Sequence, residues 1–210
     1  MPVTPKRFRN TFAEGAYLWL WLWKLEKRRG QTLSGTFLFI ALIGLFIGLL
    51  RKRDLLPASA LPAIFWISLL FTLFQAIPKS FLDISAESWR WLQIMVSPPA
   101  AAWGLTLYAL SWGAGLWGIW YGIGVALWGH TPAGIGILTA ISLGLVVGLC
   151  AFLAALARLS PAAANILALP LVLTPLLLAL FRPHSGIENL LYSGVALILS
   201  WTLLTSLWES

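Results

Sequence analysis

Asp83-Ile-Ser-Ala-Glu-Ser-Trp-Arg-Trp-Leu-Gln-Ile-Met-Val96 is a charged, amphipathic stretch between two hydrophobic runs of a chain that is otherwise almost wholly apolar. Wound at roughly 100° per residue, it splits into two sides. Asp83, Ala86, Glu87, Arg90 and Gln93 gather on one. Phe81, Ile84, Ser88, Trp91, Leu92 and Met95 gather on the other, with Ile94 out of place. A helix of this kind does not cross a bilayer. It lies at the surface, apolar side down, and turns its charges to water or to a partner. In a membrane chain with few other cytosolic features, this predicts contact with a soluble subunit.

Composition sets the surroundings of that stretch. The 210 residues are 60% hydrophobic and 10% charged, with mean hydropathy +0.86. Soluble domains carry about a quarter charged residues. The chain reads as an all-α integral membrane protein, with no segment polar enough to form a soluble domain, so residues 1–210 make one transmembrane domain. Cys150 is the single cysteine and sits in an apolar run, which excludes a disulfide framework and a Cys/His metal pattern. The net charge of +7 does not indicate nucleic-acid binding, because the basic residues flank hydrophobic runs as membrane-orienting charge does. Lys6, Arg7 and Arg9 resemble the start of a signal peptide. Glu14 and the charges from Lys24 to Arg29 interrupt the apolar run that should follow, so no cleavable signal is expected.

A crossing helix needs about 20 mostly apolar residues. Six candidates occur, at about 33–50, 61–77, 99–128, 133–157, 162–181 and 190–208. An even number places both termini on one side. With the termini inside, Lys6, Arg7, Arg9, Lys24, Lys27, Arg28, Arg29, Lys79, Arg90 and Arg158 are cytosolic, and Arg51, Lys52, Arg53 and Arg182 are outside. Ten against four favours this orientation, although the Arg51–Arg53 cluster opposes it. Ahead of the first span lies Tyr17-Leu-Trp-Leu-Trp-Leu-Trp-Lys-Leu-Glu-Lys-Arg-Arg29, aromatic and then basic, as expected for an interfacial helix over about 12–30. Its alternation would also suit a strand, but a lone strand at a membrane leaves its backbone unpaired.

Helices in lipid associate through close packing at small residues. Ser111, Gly115, Gly118 and Gly122 share one face of the third span, and Gly144, Gly148, Ala151 and Ala155 one face of the fourth. Both stripes are expected to pack. Pro170 and Pro175 predict a kink or break in the fifth span, as a gate or as a packing adjustment, with Thr174 placed to bond a freed carbonyl.

Several chemistries have no residues to support them. There is no GxxxxGK[ST] phosphate loop, so any ATP hydrolysis belongs to a partner. No Asp, Glu or Lys lies deep in a span, which argues against an ion-coupled carrier. No HExxH, Ser-His-Asp set or carboxylate pair suggests an enzyme, and no bound cofactor or metal is expected. His130 and His184 fall in loops on the predicted outer side, where they could share a ligand or simply be solvated. Trp103, Trp112, Trp117, Trp120 and Trp128 punctuate the third span, as a haem platform or as a packing stripe.

The run Leu61-Pro-Ala-Ile-Phe-Trp-Ile-Ser-Leu-Leu-Phe-Thr-Leu-Phe-Gln-Ala-Ile-Pro-Lys-Ser-Phe81, followed by Trp91-Leu-Gln-Ile-Met-Val-Ser-Pro98, resembles the haem exporter protein B (CcmB) family. Ala168-Leu-Pro-Leu-Val-Leu-Thr-Pro-Leu176 resembles that family's proline-bearing fifth span. The tryptophan richness and the loop from Arg51 to Pro57 have no counterpart in the pattern. The resemblance implies an ABC-2-type permease of the bacterial inner membrane, acting in cytochrome c maturation. It implies a homodimer beside two CcmA-like ATPase subunits, with CcmC-like and CcmD-like membrane partners. ATP hydrolysis would release a haem-loaded CcmE-like chaperone, with haem and ATP handled by partners. It also implies that residues 81–96 form a coupling helix, with Asp83, Glu87 and Arg90 meeting the ATPase and Trp89 and Trp91 anchoring the helix at the interface. An exporter of lipid or drug on the same architecture, and a non-transport assembly scaffold, remain alternatives.

Overall fold

The computed structural model describes residues 11–82, 84, 86–128 and 136–181, together with Glu188, Leu191, Tyr192, Gly194, Val195, Ile198 and Thr202. Every element among them is helical: α1 (Thr11–Arg29), α2 (Gln31–Lys52), a 3-10 turn (Ala58–Ala60), α3 (Leu61–Leu82), α4 (Ala86–Met95), α5 (Pro98–Trp128), α6 (Ile137–Leu156) and α7 (Pro161–Phe181). The expected sixth span, at 190–208, falls largely outside the described residues, as do His130, His184 and Asp83.

Among the described residues, three helices are long and apolar enough to cross a membrane: Ser34–Lys52, Leu61–Lys79 and Ile137–Ala155. In α5, tryptophans and glycines dilute the hydropathy of a 31-residue helix about 46 Å long. Chain patterning is inside-out relative to a soluble bundle. Along α2, Ile40 and Ile47 are buried while Phe37, Leu38, Leu42, Leu45, Phe46 and Leu49 are exposed. Along α7, Ala168, Val172 and Leu176 face in while Ile166, Leu167, Leu169 and Leu173 face out. Exposed apolar surface on this scale suits lipid, not water.

Helix directions follow from who meets whom. Phe81 of α3 lies against Phe152 of α6, and Ile77 lies beside Gly148, so α3 and α6 run the same way. Thr72 of α3 meets Trp120 of α5, and Phe81 meets Tyr108, so α5 runs opposite to both. The centre of the core is the α3 face of Leu61, Phe65, Leu69, Leu73, Ala76 and Ile77, each fully buried. At one end of this bundle lie the C-terminal ends of α3 and α6, the N-terminal end of α5, and α4.

Some polar side chains inside the bundle are paired, whereas Thr36 Oγ1, Trp66 Nε1 and Trp112 Nε1 are buried without a hydrogen-bond partner among the described residues. Trp120 Nε1 donates to Thr72 Oγ1 (3.3 Å), which in turn donates to the Ser68 carbonyl (2.6 Å). The chain leaves α2 and α6 through the same device. Asp54 (φ 52°) and Arg158 (φ 54°) are left-handed. Leu55 N–H bonds the Leu50 carbonyl, and Leu159 N–H that of Ala154, which satisfies the last carbonyls of each helix.

The glycine stripe expected on α5 has no partner among the described residues. Gly115, Gly118 and Gly122 have open space where a Cβ would stand, so they pack on none of the described residues. The glycine that α5 presents to α6 is Gly113. A Cβ there would stand 2.8 Å from the Ala140 carbonyl oxygen. From α6, a Cβ on Gly144 would stand 2.9 Å from the Ala109 carbonyl oxygen, and one on Gly148 2.5 Å from Ala109 Cβ. The α6 stripe thus faces α5. Helix α7 runs unbroken through Pro170 and Pro175, so neither proline divides it into half-helices. Likewise α3 continues through Pro78 to Leu82, past the expected end at Ile77.

Gly113→Val is expected to destabilise the protein by about 1–3 kcal/mol, the range for forcing methyl groups into a packed interior. Gly118→Val, whose side chain enters open space, is expected to leave stability unchanged. Thermal unfolding of the two variants in detergent, side by side, checks this.

Candidate functional site

The end of the bundle that carries α4 collects the residues singled out by sequence. Helix α4 is ten residues long, shorter than the expected 81–96. Phe81 belongs to the last turn of α3 and is fully buried, its ring 5.4 Å from that of Tyr108 and 6.2 Å from that of Phe152. Ile84, in the bend before α4, is buried too.

Along α4 the expected apolar side divides in two. Leu92 and, just past the helix end, Val96 pack against the core. Trp91, Ile94 and Met95 are 60%, 69% and 60% exposed. Their spacing of three and four residues makes them one outward stripe. Arg90 and Gln93 are exposed beside it. Glu87 and Trp89 lie in α4, but their side chains are outside the described residues, and Asp83 precedes the helix. The helix therefore turns Arg90 outward beside the apolar stripe, while Leu92 and Val96 pack against the core.

Helix α1 does not lie apart from the bundle, as expected of a purely interfacial helix. It packs along the first half of α5 and runs in the same direction. Phe12 meets Trp103 edge-on, with ring centroids 5.5 Å apart. A Cβ on Gly15 would stand 2.9 Å from the Ala100 carbonyl oxygen, and one on Gly104 2.7 Å from that of Gly15, so the two backbones nearly touch. Further along, Trp19 Nε1 (3.3 Å) and Trp23 Nε1 (3.1 Å) both donate to Ser111 Oγ, which donates to the Tyr108 carbonyl (2.7 Å). The Trp23 ring stacks on Trp112 at 5.4 Å. Ser111, expected in the small-residue stripe, acts as a shared acceptor.

Glu14 closes this contact from α1. Its Oε2 accepts from Ser97 Oγ–H (2.8 Å) and Ser97 N–H (3.3 Å), just ahead of the first residue of α5. A carboxylate at a helix N-terminus also meets the positive end of the helix dipole. Sequence reasoning passed over Glu14, Gly15 and Gly104. Ser97-Pro98 carried a helix-start signal, a serine followed by proline at the first helical position. No sequence signal joined it to a residue 83 positions earlier. Three tryptophans of the third span have partners on neighbouring helices, Trp103 and Trp112 on α1 and Trp120 on α3, while Trp117 stacks on Tyr121 of its own helix. No group of His, Cys, Asp and Glu among the described residues could hold a metal ion.

Glu14→Ala removes the acceptor for two part-buried donors and is expected to cost about 1–3 kcal/mol. Glu14→Gln keeps a carbonyl oxygen for Ser97 and should cost less. Melting midpoints of both variants in detergent give the ranking.

Comparison with protein-family models, with curated proteins and with solved structures finds no match to this chain.

Proposed function

We propose that the chain is the membrane subunit of an ATP-driven complex, an ABC-2-type permease of the bacterial inner membrane with six spans and both termini in the cytoplasm. Its role would be in cytochrome c maturation, coupling hydrolysis by a CcmA-like ATPase to release of a haem-loaded CcmE-like chaperone. The chain would act as a homodimer, with CcmC-like and CcmD-like membrane proteins beside it. The family reading rests on the resemblance of residues 61–81, 91–98 and 168–176 to the haem exporter B pattern.

One structural observation supports the mechanical part: α4 stands as a separate short helix between α3 and α5, with Arg90, Trp91 and Gln93 turned outward. Exposed Lys79 and Arg158 belong to the same end, in keeping with a cytoplasmic face. In this reading, closure of an ATPase pair presses on α4. Leu92 and Val96 seat α4 on the bundle, and Ile84 and Phe81 join it to α3. From Phe81 the push passes to the rings of Tyr108 on α5 and Phe152 on α6. Asp83, Glu87 and Arg90 would supply the charges read by the ATPase, with Trp89 and Trp91 at the membrane surface. The chain would hydrolyse no ATP and hold no haem itself.

The test is affinity purification from mild detergent, with partners identified and haem absorbance read. Recovery of an ATPase together with haem-handling membrane proteins is expected. An ATPase alone would favour an exporter of another substrate, and haem proteins without an ATPase would favour a scaffold. The double swap Glu87→Arg with Arg90→Glu is expected to lower ATPase recovery and cytochrome c output at least about tenfold, the loss of one to two charge pairs at a docking site. Unchanged recovery and output would remove α4 from the coupling role.

A further inference from the structure

Between α1 and α4 lies a cleft of about 240 Å³, open at its rim. From α1 it is walled by Tyr17, Leu18 and Trp21, and from the α4 side by Leu92, Met95 and Val96. One lining residue is acidic. Glu14 is only 9% exposed, and its described partners are the two groups of Ser97, neither of them a cation. Both of those bonds fall on Oε2. A carboxylate has two oxygens and about four acceptor positions, so Glu14 retains capacity for further donors.

A buried carboxylate is satisfied best by charged donors, whose hydrogen bonds are about twice as strong as neutral ones. Aromatic walls add to this, because the faces of tyrosine and tryptophan attract cations. Size narrows the choice. The cleft exceeds the about 150 Å³ that lodges a benzene-sized guest. It falls below the about 300–1,000 Å³ of sites that enclose a whole small molecule. A small cationic head with its first carbons fits, and the rest of the molecule must leave past the rim. At the rim, Tyr17 and Met95 are 66% and 60% exposed and lead onto the apolar surface formed with Trp91 and Ile94.

We infer that this cleft binds the ammonium headgroup of a primary-amine phospholipid of the ethanolamine class. The –NH₃⁺ group brings three N–H donors to Glu14, whereas a quaternary ammonium brings none. An anionic headgroup would set its charge against the Glu14 carboxylate. The acyl chains run outward over the exposed apolar side chains of α1 and α4. Bound in this way, the lipid would tie α4 to α1 at the membrane surface. The inference does not depend on any ATPase partner.

Native mass spectrometry of the full chain in a maltoside detergent tests it, with dioleoyl phosphatidylethanolamine, phosphatidylcholine and phosphatidylglycerol added in turn. Phosphatidylethanolamine is expected to stay bound, one per chain, under activation that strips the other two. Glu14→Gln is expected to reduce that retention about tenfold, as loss of one charged hydrogen bond implies. Its carboxamide oxygen still serves Ser97, and unchanged circular dichroism verifies the fold. Leu92→Trp fills the cleft without touching the carboxylate and is expected to lower retention equally. Equal retention of all three lipids, or no effect of either variant, overturns the inference. Retention of dodecylammonium without phosphatidylethanolamine also overturns it, in favour of a free amphiphilic cation.

Discussion

The bundle depends on how near the backbone of α5 comes to its neighbours. Lipid surrounds leucine as comfortably as another leucine does, so burying apolar side chains does little to hold such helices together. Dispersion forces, which weaken steeply with a gap of even half an ångström, must do more of it. Gly104 and Gly15 let α1 and α5 touch, and Gly113 and Gly144 let α5 and α6 touch. Any side chain at these four positions would meet a backbone atom within 3.0 Å. Hydrogen bonds add to the contact with α1 and tie α5 to α3. The indoles of Trp19 and Trp23 converge on Ser111 on one side of α5, and the indole of Trp120 reaches Thr72 on another.

The helices themselves were legible in the sequence, because a long apolar run with few breakers has no other form in a membrane. Helices α2, α3, α5, α6 and α7 lie over five of the expected spans, with most ends within a few residues, and three of them are long and apolar enough to cross a membrane. Facing was less legible. Helix α5 carries glycines on two sides, one through Gly113 and Gly124, the other through Gly115, Gly118 and Gly122. Periodicity groups them correctly but does not say which group turns inward. The neighbour's carbonyl at Ala140 decides that, and it is a tertiary fact. Helix α1 was legible as an aromatic, basic-ended helix, but its seat on α5 was not, since an interfacial helix and a docked one share the same composition. The amphipathic stretch at 83–96 was legible as a surface helix. Its sides were less so, because Trp91 and Leu92 are adjacent in sequence yet one faces out and the other in.

The candidate site joins two kinds of contact at one end of the molecule. Inward, Phe81, Tyr108 and Phe152 make a cluster of rings linking α3, α5 and α6. Rings in such contact are close-packed and transmit displacement instead of absorbing it. Outward, α4 seats Leu92, with Val96 just past its end, on the core and offers a large exposed stripe.

The parallel seating of α1 on α5 also sets an order of events during synthesis. Glu14 waits for Ser97, 83 residues later, and Trp19 waits for Ser111, 92 residues later. At roughly 5–20 residues per second, that delay is on the order of 4–20 s. Throughout it, α1 has emerged from the ribosome but its groove does not yet exist. Its tryptophans and cations suit it to wait at the headgroup layer. The same composition that made it read as an interfacial helix thus describes its holding position, and α5 later draws it from there into the bundle.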